Sequence, residues 1–117
     1  MRPYQPSILV VADAKELRDA MEQGLTAAGY HVYITDQGRS AVAFLRETAD
    51  PPDLVIADTE LRDLRAIDVA QEAARRGAKV VPVASHRFRE HRAGSDDSFD
   101  LPMLASRIDS VLGIARM

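Results

Sequence analysis

The 117-residue sequence has no cysteine and no tryptophan, and its aromatic residues are three Tyr and three Phe. Without cysteine, neither a disulfide framework nor a thiolate metal site can form. No apolar run approaches the roughly 20 residues that cross a bilayer, and Met1-Arg2-Pro3-Tyr4-Gln5-Pro6 lacks the apolar core of a signal peptide. A cytoplasmic protein with no membrane partner is therefore expected. Excess positive charge is also missing. A formal net charge of -3 gives no global pull toward nucleic acid, so direct binding to DNA or RNA is not expected. What the sequence does have is 46% hydrophobic and 28% charged residues, the balance of an ordinary globular domain large enough to bury a core. Residues 1–6 read as a tail and 7–117 as one domain.

The chain is organised around Asp53-Leu54-Val55-Ile56-Ala57-Asp58. This run is too short for a helix and is preceded by Pro51-Pro52, so it reads as a buried strand of a parallel sheet. Asp58 then stands at the strand's carboxyl end, where open α/β sheets bind ligands. A second acid, Asp13, follows the comparable run Ile8-Leu9-Val10-Val11-Ala12. Neighbouring strands ending in these two acids would bring both carboxylates to one rim, which calls for a cation or a proton.

The rest of the chain alternates. A strand over Ser7–Ala12 leads to a helix over Ala14–Ala28, with Leu17, Ala20, Met21, Gly24, Leu25 and Ala28 at helical spacing and Gly29 placed to end it. Tyr30–Thr35 reads as a second strand. Asp36-Gln37-Gly38 is a turn, and Ser40–Glu47 a helix burying Val42, Phe44 and Leu45. After Asp58 comes a polar loop, then a helix from Ala66 to Arg76 with Ile67, Ala70, Ala73 and Ala74 inward, capped by Gly77. Lys79–Ala84 is a fourth strand; Pro82 suits an irregular or near-edge position. His86–Arg92 is charged apart from Phe88, Gly94–Asp97 is a turn, Ser98–Asp100 a short fifth strand, and Pro102–Leu112 a last helix. Such alternation implies a parallel sheet with helices on both faces.

With these pieces placed, the chain resembles a two-component response-regulator receiver domain of the CheY-like superfamily, in a divergent form. The residues that carry the resemblance are Ile8–Asp13, Gly29–Val32, Pro52–Asp58, Pro82–Ser85, and Gly94–Asp97 followed by Pro102. It implies an α/β doubly wound five-stranded parallel sheet, flavodoxin-like with strand order 2-1-3-4-5, and a shortened fourth crossover helix. It also implies that Asp58 is the phosphoacceptor, that Asp13, Asp58 and the backbone carbonyl of Glu60 hold Mg²⁺, and that Ser85 is the switch hydroxyl. The donor partner would be a sensor histidine kinase or phosphotransfer protein. The output would pass to a downstream protein partner or a homodimer through the 85–101 surface. On this reading the chain is a stand-alone signalling protein, not an enzyme.

Several residues depart from that pattern. Ala12 replaces one of two adjacent acids, which lowers the expected affinity for Mg²⁺. Leu101 stands where receivers carry a lysine, and a charge-assisted contact of that kind is worth roughly 1.5–3 kcal/mol. The loop after Asp58 has Arg62 and Ala66 in place of proline and glycine, and Ser98 holds the usual aromatic switch position. The stretch from Ser85 to Gly94 is shorter than usual by about two helical turns. The alternative reading is a pseudo-receiver, a phosphorylation-independent protein-interaction module. Local roles compete as well: Asp13 could cap the first helix, and the Glu60 carboxylate could offset Ala12 at the metal. A hydrolase built on Ser85-His86 is excluded, because neighbours in an extended chain point opposite ways.

Overall fold

The computed structural model describes residues 5–87 and 101–113. Two strands form its centre, β1 (Ser7–Val11) and β3 (Leu54–Asp58), and from Ile8 and Leu54 onward every residue of both is buried. Unbroken apolar runs of this kind belong between two layers of helices. β1 pairs with β3 and with β2 (His31–Thr35), and β3 pairs with β4 (Lys79–Val83). All pairings are parallel, and among the described residues the sheet has four strands in the order β2-β1-β3-β4. The expected fifth strand, Ser98–Asp100, and the 88–97 segment lie outside the described residues. Ser85–Arg87 forms a single 3-10 turn.

Alternation along the strands sorts the core into two layers. Ile8, Val10, Leu54 and Ile56 point to one face, where α1 (Lys15–Ala27) and α4 (Leu101–Leu112) pack through Leu17, Met21, Leu25, Leu104 and Ile108. Leu9, Val11, Val55 and Ala57 point to the other, under α2 (Gly38–Glu47) and α3 (Ala66–Arg75), which contribute Ala41, Leu45, Val69 and Ala73. Gly29 and Gly77 follow α1 and α3 at φ of 99° and 79°, the left-handed region in which a Cβ is strained.

The buried faces of α2 and α3 differ from expectation. Val42 and Phe44 are only partly buried; Ala41 and Leu45 fill the core. On α3, Ile67 is 51% exposed and Ala74 is exposed, while Val69, Glu72 and Ala73 face inward. Glu72 is there because Arg46 Nε binds its Oε1 at 2.8 Å, a pairing that offsets the cost of bringing a carboxylate inside.

Gly38, expected in a turn, is instead the first residue of α2. Its N–H donates to Asp63 Oδ1 and the N–H of Arg39 donates to Asp63 Oδ2, each at 2.9 Å. A side chain from the loop after β3 thus caps α2, holding the Asp63 carboxyl below its ordinary pKa, with the Arg39 N–H as the largest cause. At the other end, the Arg76 guanidinium donates to the carbonyls of Leu45, Arg46 and Thr48. Asp63→Ala is expected to cost about 1 kcal/mol in urea unfolding at pH 7, the usual value of a lost cap. The sign with pH follows from the lowered pKa. The cap's contribution is complete above the ordinary value and fades as pH falls through the folded one, so wild type and variant converge in acid.

Candidate functional site

The strand order places a reversal between β1 and β3, because the chain leaves β1 toward β2 and leaves β3 toward β4. At such a point the loops at the carboxyl ends diverge and open a crevice. Asp58, the last residue of β3, sits there fully buried. Its Oδ2 accepts the N–H of Asp13 at 3.2 Å, and its Oδ1 accepts the N–H of Glu60 at 2.9 Å and of Ser85 at 3.3 Å. A buried carboxylate is costly unless its charged form is hydrogen-bonded. Three loops, following β1, β3 and β4, each supply one such donor.

Asp13 and Asp58 therefore meet at one rim, as the strand ends imply. The Asp13 carboxylate, however, does not cap α1: Ala14 is the N-cap residue and makes no side-chain cap bond. Asp13 Oδ2 instead takes Arg62 Nε at 2.9 Å. A second guanidinium, that of Arg18, donates to the carbonyls of Ala12 and Asp13 at 2.9 and 2.7 Å. Ala12 itself is buried in the apolar layer beneath α1.

The Glu60 carboxylate is held by the loop after β4. Its Oε1 accepts the Ser85 hydroxyl at 3.0 Å and the His86 N–H at 2.9 Å, and lies 2.9 Å from His86 Nδ1. The His86 main-chain bond, then the His86 and Ser85 side-chain bonds, lower the Glu60 pKa from 4.5 to about 2. This clasp is complete above the ordinary value and is lost as pH falls through about 2. A carboxyl ¹³C titration should read that midpoint directly. His86→Ala should move it upward without restoring the ordinary value, because the main-chain N–H remains. The Ser85 hydroxyl donates to Glu60 Oε1, the same oxygen that His86 Nδ1 meets, so both side chains converge on this one carboxylate.

Leu101 does not stand at this rim. Its Cδ1 lies 2.7 Å from where a Cβ on Gly24 would be. Gly24 is nine residues into α1 from Lys15, about 13 Å down the helix at 1.5 Å per residue. A side chain at 101 is thus a packing group against α1, and the lysine position of the resemblance has no equivalent there.

The donors at the rim fit a hard dication in kind. Among the described residues there is no group of three or more His, Cys, Asp or Glu able to hold a metal, but Mg²⁺ uses one or two carboxylates and keeps several waters. The guanidinium on Asp13 shows that this rim draws positive charge. The sequence pattern gives Arg18 no role within the helix over Ala14–Ala28, and marks Arg62 only as a departure from the usual proline. A cation four residues beyond a candidate acceptor is the signal that was available.

No protein-family model matches the chain. It is 34% identical to the transcriptional regulatory protein KdpE of Mycobacterium tuberculosis over 104 residues, covering 81% of this chain and 44% of that one. The chain spans less than half the length of the curated relatives it matches. In structure it is similar to a CheY-like response regulator receiver domain protein from Methanospirillum hungatei, with a TM-score of 0.74 at 20% identity, covering 94% of this chain and 95% of that one. It is also similar to a chain of the complex between histidine kinase ThkA and response regulator TrrA, with a TM-score of 0.68 at 21% identity, covering 92% and 99%. Among the described residues, no helix is long and apolar enough to cross a membrane.

Proposed function

Because the chain is by fold a response-regulator receiver domain, we propose that it is a signalling element that accepts a phosphoryl group on Asp58 from a phosphohistidine donor. The observation that carries this reading is the Asp58 carboxylate, held at the switch point of the sheet by three main-chain N–H groups from three loops. Oδ1 accepts two N–H groups and Oδ2 only that of Asp13, so Oδ2 keeps more lone-pair capacity and is assigned the attack. As the Oδ2–P bond forms, the P–N bond to the donor imidazole breaks; its electron pair stays on nitrogen, which takes up a proton. Mg²⁺ would be held by the Asp13 and Asp58 carboxylates and the backbone carbonyl of Glu60, and when bound it would offset the negative charge of the entering group.

Ser85 is the switch hydroxyl of this reading. Its N–H already bonds Asp58, and its hydroxyl would leave Glu60 for a phosphoryl oxygen, so a local bond exchange would alter the surface of the 85–101 segment. The complex of ThkA with TrrA, whose receiver fold this chain shares, supports a histidine kinase as donor partner. A downstream protein, or a second copy of the chain, would receive the signal.

A pseudo-receiver is favoured instead by the two contacts that already occupy the machinery, Arg62 on Asp13 and Glu60 on Ser85. Acetyl phosphate with MgCl₂, followed by intact-mass and peptide analysis, separates the two. One phosphoryl mass on the peptide containing Asp58, suppressed by EDTA, is the expected result. An unchanged mass under all conditions would assign the chain to the second reading.

A further inference from the structure

We propose that Arg62 is a resident cation of the acidic rim, which a divalent cation must displace to bind. This rests on the reading of Asp13 and Asp58 as the dication site. Arg62 Nε is 2.9 Å from Asp13 Oδ2, and its side chain is 86% exposed while that of Asp13 is 32% exposed. A guanidinium so placed takes one of the few hard oxygens the rim can offer. Because it is so exposed, it leaves without unpacking anything. Ala12 sharpens the competition: with no second acid after β1, Asp13 is the one side-chain carboxylate of that loop, and the two cations compete for it. Arg18 adds to the effect from the main-chain side, since it withdraws the carbonyls of Ala12 and Asp13 from service as further oxygen ligands.

The consequence is a specificity device. At low Mg²⁺ the rim is neutralised by the protein's own arginine and Asp13 stays in place without metal. At higher Mg²⁺ the guanidinium is released into solvent, where its five N–H donors are free for an incoming phosphoryl group. Arg62 is thus a positioning residue that sets the metal concentration at which the site is loaded.

The test is a titration of the whole chain with MgCl₂ alone, read by the amide resonances of Asp13 and Asp58 and by the Arg62 Nε–H resonance. In the wild type the Nε–H signal should move to the position of a free arginine as Mg²⁺ binds. Arg62→Ala should bind Mg²⁺ about two- to fivefold more tightly, the range set by an exposed ion pair, and Arg62→Lys should stay closer to wild type because it keeps the charge. Equal affinity in all three proteins, or weaker binding by Arg62→Ala, would overturn the inference while leaving Asp13 and Asp58 as a metal site. Absence of any Mg²⁺ response in wild type and Arg62→Ala alike would remove the inference together with the reading beneath it.

Discussion

Asp58→Asn is expected to abolish phosphoryl labelling by acetyl phosphate while the protein stays folded. The amide nitrogen is no nucleophile toward phosphorus, and no other carboxylate at the rim is free to substitute. Asp13 is engaged by Arg62, or by Mg²⁺ once the metal displaces it, and Glu60 by Ser85 and His86. The amide oxygen can go on accepting the N–H groups of Glu60 and Ser85, so two of three bonds survive. Its NH₂ then faces the N–H of Asp13, donor against donor, which costs about 1–2 kcal/mol, too little to melt a sheet whose main-chain pairing is untouched. Circular dichroism should therefore match the wild type while the mass gain is lost completely. Asp13→Asn makes the contrast: labelling falls without vanishing, since this residue serves the charge balance and not the bond that forms. Labelling that persists in Asp58→Asn would move the acceptor elsewhere and undo the assignment of β3's last residue.

The two aspartates were legible because each ends a buried strand, and a short apolar run between breakers has a carboxyl end that can be counted. Gly29 and Gly77 marked their helix ends for an equally local reason. What the sequence did not disclose are contacts between loops. Asp63 capping α2 joins residues 25 apart, and Glu60 receiving Ser85 joins residues 25 apart in the other direction along the chain. Nothing in local pattern selects such a partner from among the many polar residues of a surface loop. Leu101 shows the opposite failure, in which resemblance placed a residue at the rim while its side chain packs against α1 at Gly24. Arg62 combined both, being noticed as a departure and unassigned as a charge.

Ile56→Ala is expected to cost about 2–5 kcal/mol, and Ile67→Ala less than about 0.5 kcal/mol, although both delete the same side chain. Ile56 is wholly buried in the middle of β3, in the layer with Val10, Met21 and Val81, and truncation leaves a cavity between a central strand and its helices that the flanking strands cannot close. Ile67 is 51% exposed near the start of α3. Helical spacing alone put it inward, since isoleucine outranks every neighbour in apolar area. The true register is decided by Val69, Ala73 and the paired Glu72, whose carboxylate reaches Arg46 across the face. A sequence pattern counts a charge as an outward vote, so a buried carboxylate paired with an exposed arginine rotates the inferred stripe away from the real one. Urea unfolding of the two variants measures this directly. Comparable losses would mean that α3 packs by Ile67, and would return Glu72 to solvent.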